Sequence, residues 1–216
     1  DNDISFSSNA VISSTSNKLG VVLDADADAS GAGSIVMNTG SGITSNGGNI
    51  TMGGGALAGG LPSGAAVGDA ASVYGVYLTG ATLSAGAGSI SMNGTGDAGA
   101  AGNNWGVYLL NSTVQNSGSN AITITGNGGG AAAGLGSNIG VYVNTSTVKT
   151  TGNGAISITG TGNSTNAGGG NRGILISGAG ALVQTGGTGA LTLYGVGGNT
   201  TNGLTDNGVF INGSTT

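Results

Sequence analysis

Whatever chemistry this chain performs must come from a short inventory of side chains. Its acids are eight Asp, its bases are Lys18, Lys149 and Arg172, and it has no His, Glu or Cys. Nucleophilic and acid–base mechanisms near neutral pH draw on His, Glu, Cys or a tuned Lys. A β-helix polysaccharide lyase would cluster Asp, Lys and Arg on one strand face, and no Asp lies between Lys149 and Arg172. The chain therefore reads as no enzyme. Its densest acidic stretch is LDADADAS, in which Asp24, Asp26 and Asp28 alternate. In an extended strand the three carboxylates would share one face and make a hard-cation site suited to calcium. Neither the Gly nor the closing Glu of an EF-hand loop is in place. A solvated acidic turn is the plainer reading, and no other cofactor is implied.

The uncharged candidates are ladders. Tyr77, Tyr108 and Tyr142 recur in GVY phrases, with Leu175 and Phe210 at the same place in later phrases. If the flanking Val and Leu point inward, these five point outward and stack about 4.8 Å apart. The result would be an exposed ladder fit for lateral packing or a ligand, unless the long loops fold back over it. Thr123, Thr125, Ser157 and Thr159 form an outward hydroxyl series that would suit an ice-binding face, but Ser91, Asn93 and Thr192 interrupt it. Sequons stand at Asn49, Asn93, Asn111, Asn144, Asn163, Asn199 and Asn212. They allow glycosylation, although a chain so rich in Asn, Ser and Thr yields nearly as many by chance.

The elements that must position these residues are repeats. GVYLLNSTVQNSGSNAITITG, starting at Gly106, has counterparts starting at Gly75, Gly140 and Gly173 and a shortened one at Gly208, spaced by 31 to 35 residues. That period signals a solenoid, propeller or array. Within a unit, apolar residues alternate with polar ones: Val107 and Leu109, then Val114, then Ile122 and Ile124. The pattern predicts three short strands, each with one apolar face. Such a unit cannot bury those faces alone, whereas parallel stacking of units encloses them in one continuous core. A propeller would want four strands and a longer period. The expected fold is thus an all-β, right-handed parallel β-helix of about six to seven coils, right-handed crossovers being the rule.

Residues 1–216 read as a single solenoid. Residues 1–52 form two less regular coils: Ile4, Phe6, Val11, Val21 and Leu23 in the first, then Ile35, Met37, Ile43, Ile50 and Met52. Residues 53–74, with Leu61-Pro62, are expected to be a loop off the body, since Pro cannot donate to a ladder. Residues 75–216 hold the regular repeats, each ending in a Gly/Asn/Ala loop at one edge, either a binding surface or a spacer. Charged residues are only 5% of the chain, which together with the in-phase apolar positions argues against disorder. A net charge of −5 without a basic stripe disfavours nucleic acid and anionic membrane as partners, and no apolar run is long enough for a spanning helix. Beginning on Asp1, the chain reads as a mature or excised segment.

LGVVLDADADASGAGSI, Leu19 to Ile35, and SGITSNGGNIT, Ser41 to Thr51, carry a family likeness. With its surroundings in residues 1–55, this stretch resembles the passengers of bacterial adhesins related to filamentous haemagglutinin, which leave the cell by two-partner secretion. The family's N-terminal secretion signature is not visible here, so the resemblance implies an interior piece of such a passenger. It also implies a secreted, extracellular protein of the bacterial cell surface, with adhesive, biofilm or structural work in a fibre. The expected function is a structural or adhesive segment or protomer of that fibre. Its partners would be itself or adjoining repeats end to end, and host or neighbouring-cell glycans. The alternative is a glycan-binding or carbohydrate-active β-helix module.

Overall fold

The computed structural model describes residues 2–99, 102–131, 136–163, 168–198 and 205–213. Among them every regular element is a β-strand. The first sheet stacks Ile4–Phe6, Ile35–Met37, Val76–Thr79, Val107–Leu110, Val141–Asn144, Ile174–Ser177 and Val209–Asn212. A second sheet stacks Val11–Ser13, Gly42–Thr44, Thr82–Ser84, Thr113–Asn116, Thr147–Thr150 and Leu182–Thr185. The third stacks Val21–Ala25, Ile50–Ala58, Ile90–Thr95, Ile122–Asn127, Ile156–Thr161 and Leu191–Val196. The chain visits the three in rotation, so the fold is a parallel β-helix of six coils plus the first strand of a seventh.

Register follows the apolar pattern. Ile35, Val76, Val107, Val141 and Ile174 form one inward column of the first sheet. Ile43, Leu83, Val114 and Val148 form that of the second, and Ile50, Ile90, Ile122 and Ile156 one of the third. All of these side chains are fully buried. A slip of one residue would turn every one of them to water, which is why the register is fixed. One assignment changes: in the first coil Ile12, not Val11, continues the inward column against Ile43, and Val11 lies outward beside Gly42. Two adjacent β-branched residues fit either face, and the neighbouring rung decides between them.

Where the third sheet turns into the first, two glycine columns pack backbone on backbone. A Cβ on Gly126 would run into the carbonyl of Gly140, and one on Gly140 into the carbonyls of Gly126 and Gly173. This corner accounts for the Gly that opens each GVY phrase and the Gly that closes each ITG phrase.

The stretch 53–74 is not the loop expected of it. The third-sheet strand continues to Ala58, turns at Gly59 and Gly60, and returns as Leu61–Gly64 in an antiparallel hairpin. Both turn glycines have positive φ, 62° and 82°, as a tight two-residue hairpin requires. Pro62 is accommodated because the returning strand is an edge with a single partner, the position at which a sheet tolerates a residue without an N–H. Ala66–Val67 then pairs with Gly94 and Thr95 and restores the coil.

Because each coil is held only by its neighbours, one buried charge breaks the stack locally. Ile124→Asp, which places a carboxylate among fully buried Ile and Met, is expected to cost more than about 3 kcal/mol in urea unfolding. Thr123→Asp, on the exposed face of the same strand, should melt within a few degrees of the parent.

Candidate functional site

The corner before each first-sheet strand carries a polar ladder that strand periodicity does not reveal. Asn104, Asn138 and Asn171 are fully buried there. Asn138 Oδ1 accepts from the amide of Asn104 at 2.9 Å, and Asn171 Oδ1 from the amide of Asn138 at 3.0 Å. Asp206 Oδ1 continues the chain by accepting from the amide of Asn171 at 2.7 Å. Each side chain thereby satisfies a corner amide of the preceding coil, where the strand ladder has no partner to offer. The available signal was Asn-x-Gly before Val or Ile in NWGV, NIGV and NRGI. A lesser ladder occupies the corner before the second sheet, where Ser112 Oγ accepts from the amide of Ala81 and Ser146 Oγ from that of Ser112.

The residue between that Asn and Gly decides the fate of the tyrosine ladder. Tyr77, Tyr108, Tyr142, Leu175 and Phe210 do fall in one outward column. They are not an exposed stripe. Tyr108 and Leu175 are buried, and the other three are half-buried. Tyr74 and Trp105, the residues just before Gly75 and Gly106, lean over the column. Their rings stack with centroids 5.2 Å apart, and Trp105 meets Tyr108 and Tyr142 edge-on at 4.4 and 5.0 Å. The tyrosines of the column themselves stack at 5.1 Å. Two coils beyond Trp105, with the buried Ile139 between them, Arg172 takes the same place, its guanidinium 4.8 Å from the Phe210 ring. Burial pushes the phenols of Tyr74 and Tyr108 above their ordinary range, so both stay neutral in neutral solution.

The three alternating aspartates do not share a face. The strand ends at Ala25, and Asp26 adopts a positive φ of 57° that turns the chain. Asp26 Oδ1 then accepts from the amides of Ser30 and Gly31 at 2.9 and 3.1 Å and from Asn2 Nδ2 at 2.8 Å. The turn is thus buried at its root rather than solvated throughout. Asp28 is exposed, and hydrogen bonding from Ser30 holds its carboxyl below the ordinary range. Asp24 points outward where Leu61–Gly64 packs over the strand, covered but shallow, and neither of its oxygens finds a hydrogen-bond partner. Loss of water there, with the nearby charge of Asp26, raises its pKa. Among the described residues no three such groups converge on a point that could hold a metal ion.

The remaining candidates scatter. Lys149 lies on the second sheet between Gln115 and Gln184, away from Arg172 at the corner. Asn49, Asn111 and Asn212 are exposed, while Asn93, Asn144 and Asn163 are half-buried. The amide nitrogens of Asn144 and Asn163 are engaged by Tyr108 Oη and by the carbonyls of Gly129 and Gly130. Asn199 lies outside the described residues. Thr123, Thr125, Ser157 and Thr159 face outward as read, between Ser91 and Asn93 on one side and Thr192 and Tyr194 on the other.

Exposed large apolar residues gather at the ends of the solenoid and on the hairpin. Val11, Ile12 and Val22 at one end and Leu182, Leu191, Tyr194, Val209 and Ile211 at the other are exposed, Ile211 to 62%. No protein-family model, characterised protein or solved structure matches this chain.

Two measurements check the local readings. Asn138→Ala strands the buried amide of Asn104 and is expected to cost about 1–3 kcal/mol in chemical denaturation. Asp24 has a raised pKa, so the folded chain binds its proton more tightly than the unfolded chain, and stability falls as pH rises through that range. Asp24→Asn should therefore melt higher than the parent at about pH 7 and level with it at about pH 3.

Proposed function

We infer that the chain is a structural segment of an extracellular bacterial surface fibre, a rigid spacer whose coils stack end to end with further coils. One observation carries this reading: among the described residues all three sheets finish at each end on strands paired on one side only, with the inward Leu191, Val209 and Ile211 exposed at one end and Ile12 at the other, although Phe6, Val21 and Leu23 of the first coil are buried. Such edges recruit strands. The outward columns agree. Along the second sheet one column runs Val11, Gly42, Thr82, Thr113, Thr147, Leu182, apolar and large only at the two terminal rungs. In the third sheet Thr125 and Thr159 give way to Tyr194, and Asn127 and Thr161 to Val196. Large apolar side chains outside a solenoid suit rungs that gain neighbours above or below.

The likeness of residues 1–55 to adhesin passengers points the same way and supplies the extracellular setting. Adhesion to glycans is the companion reading, and it rests on the groove described below.

A direct test inserts a second copy of residues 178–213 after Gly213, adding one coil in the order second, third, first sheet. The melting temperature is expected to rise by several degrees and the rod to lengthen by about 4.8 Å in solution scattering. Negative-stain images at rising concentration should show rods one β-helix wide, shortened by Ile211→Lys. An unchanged melt together with compact monomers at every concentration would overturn the reading.

A further inference from the structure

The hairpin adds an antiparallel strand to the third sheet, and it creates a groove. Leu61 and Pro62 of its returning strand line the groove together with Val22 and the backbone of Val21 on the edge strand of the third sheet and Gly20 just before it, Val22 standing in the same outward column as Thr51. The floor is polar: Thr51 and Ser91, on neighbouring rungs of one outward column, with Ser89 and Asn49 beside them. The space measures about 500 Å³, within the roughly 300–1,000 Å³ of small-ligand sites.

The lining narrows the ligand class. It contains no ionisable side chain, so nothing compensates the desolvation of a charged ligand. The protein's net charge of −5 further repels anions. Asn49 Oδ1 accepts from the amide of Ser89 at 3.0 Å, which fixes that side chain and leaves its NH₂ group to donate. The hydroxyls of Thr51, Ser89 and Ser91 form no hydrogen bond with other described residues. A purely apolar occupant would strand these groups, whereas a ligand with hydroxyls of its own would pair with them. The walls offer CH and CH₂ surface from Val22, Leu61 and Pro62, and two of these residues, Val22 and Leu61, are 42% and 49% exposed. A sugar ring combines uncharged hydroxyls on its rim with CH groups on its faces and so matches this lining.

We propose that the groove between the hairpin and the third sheet is a binding site for a neutral oligosaccharide. Thr51, Ser89, Ser91 and Asn49 supply the hydrogen bonds and Val22 and Leu61 the packing. Binding here does not depend on how the ends of the solenoid are completed, so the coil-insertion test and this one fail separately.

The test uses the full chain and saturation-transfer NMR with neutral gluco-, manno- and galacto-oligosaccharides of three to five residues. Uronic-acid oligomers and a leucine-rich peptide serve as competing probes. At least one neutral series is expected to bind and the uronic-acid oligomers are not. Ser91→Arg, which fills the floor from an outward position, should weaken binding at least tenfold. Ser157→Arg, two rungs along the same column and outside the groove, should bind as the parent does. Both variants are first shown to melt like the parent. Should Ser91→Arg alter the melt, Leu61→Ala takes its place, with a loss of about threefold or more expected. The proposal is overturned if no neutral series binds, if the groove variants bind like Ser157→Arg, or if the peptide binds in preference to every sugar.

Discussion

Every coil of this protein depends on backbone hydrogen bonds and apolar columns that it shares with the coils above and below. Apart from the hairpin of the second coil, the three short strands of a coil do not pair with one another. A coil's backbone groups are satisfied, and its Ile, Val and Leu side chains are covered, only through the coils beside it. Stability in such a chain is a sum of interfaces rather than a property of one centre. The end coils follow from this directly. Leu191 belongs to the same inward column as the fully buried Ile156, yet it is 44% exposed, since among the described residues no rung lies over it.

Parallel stacking brings identical positions together, and the corners show how that constraint is used. Where the backbone closes most tightly, only glycine fits, and Gly126 meets Gly140 without room for a Cβ between them. Where the turn leaves amides without strand partners, an Asn from the next coil supplies the acceptor. Where the corner projects outward, bulky residues at Tyr74, Trp105 and Arg172 fold over the adjacent column and turn an apolar stripe into a small second core. All three devices work because successive coils keep the same register. An error at one corner would propagate into the ladder on both sides of it.

Much of this was legible in the residues. The two-one-two pattern of Val107, Leu109, Val114, Ile122 and Ile124, repeated at near-constant spacing, determines strands, faces and parallel stacking together. What alternation could not decide lies where alternation stops. Val11 and Ile12 are both good inward residues, and only contact with Ile43 separates them. Tyr74 and Trp105 sit at a corner, where side-chain direction no longer follows from strand parity, so their cover over Tyr77 and Tyr108 was not written in the period. Asp26 looked like the middle of an extended acidic face, but its left-handed backbone made it the acceptor at the root of a turn. The hairpin was hidden by its own composition: Gly53 to Gly60 lacks alternation, and a proline that argues against a central strand is harmless on an edge.

The hairpin also shows how a solenoid can gain a site without giving up its stack. A regular β-helix presents flat faces and shallow ladders, which offer a ligand little enclosure. An insertion at a corner leaves the inward columns intact, as Ile50 and Met52 still pair with Ile90 and Met92 beneath it. The returning strand is free to stand over the outer face, and its cost falls on one residue, Asp24, whose carboxylate is covered without a partner. The rest of the outer third sheet, from Thr123 to Thr159, stays open and uncharged. Enclosure is therefore added at a single rung, and the spacer and the groove are separable parts of one chain.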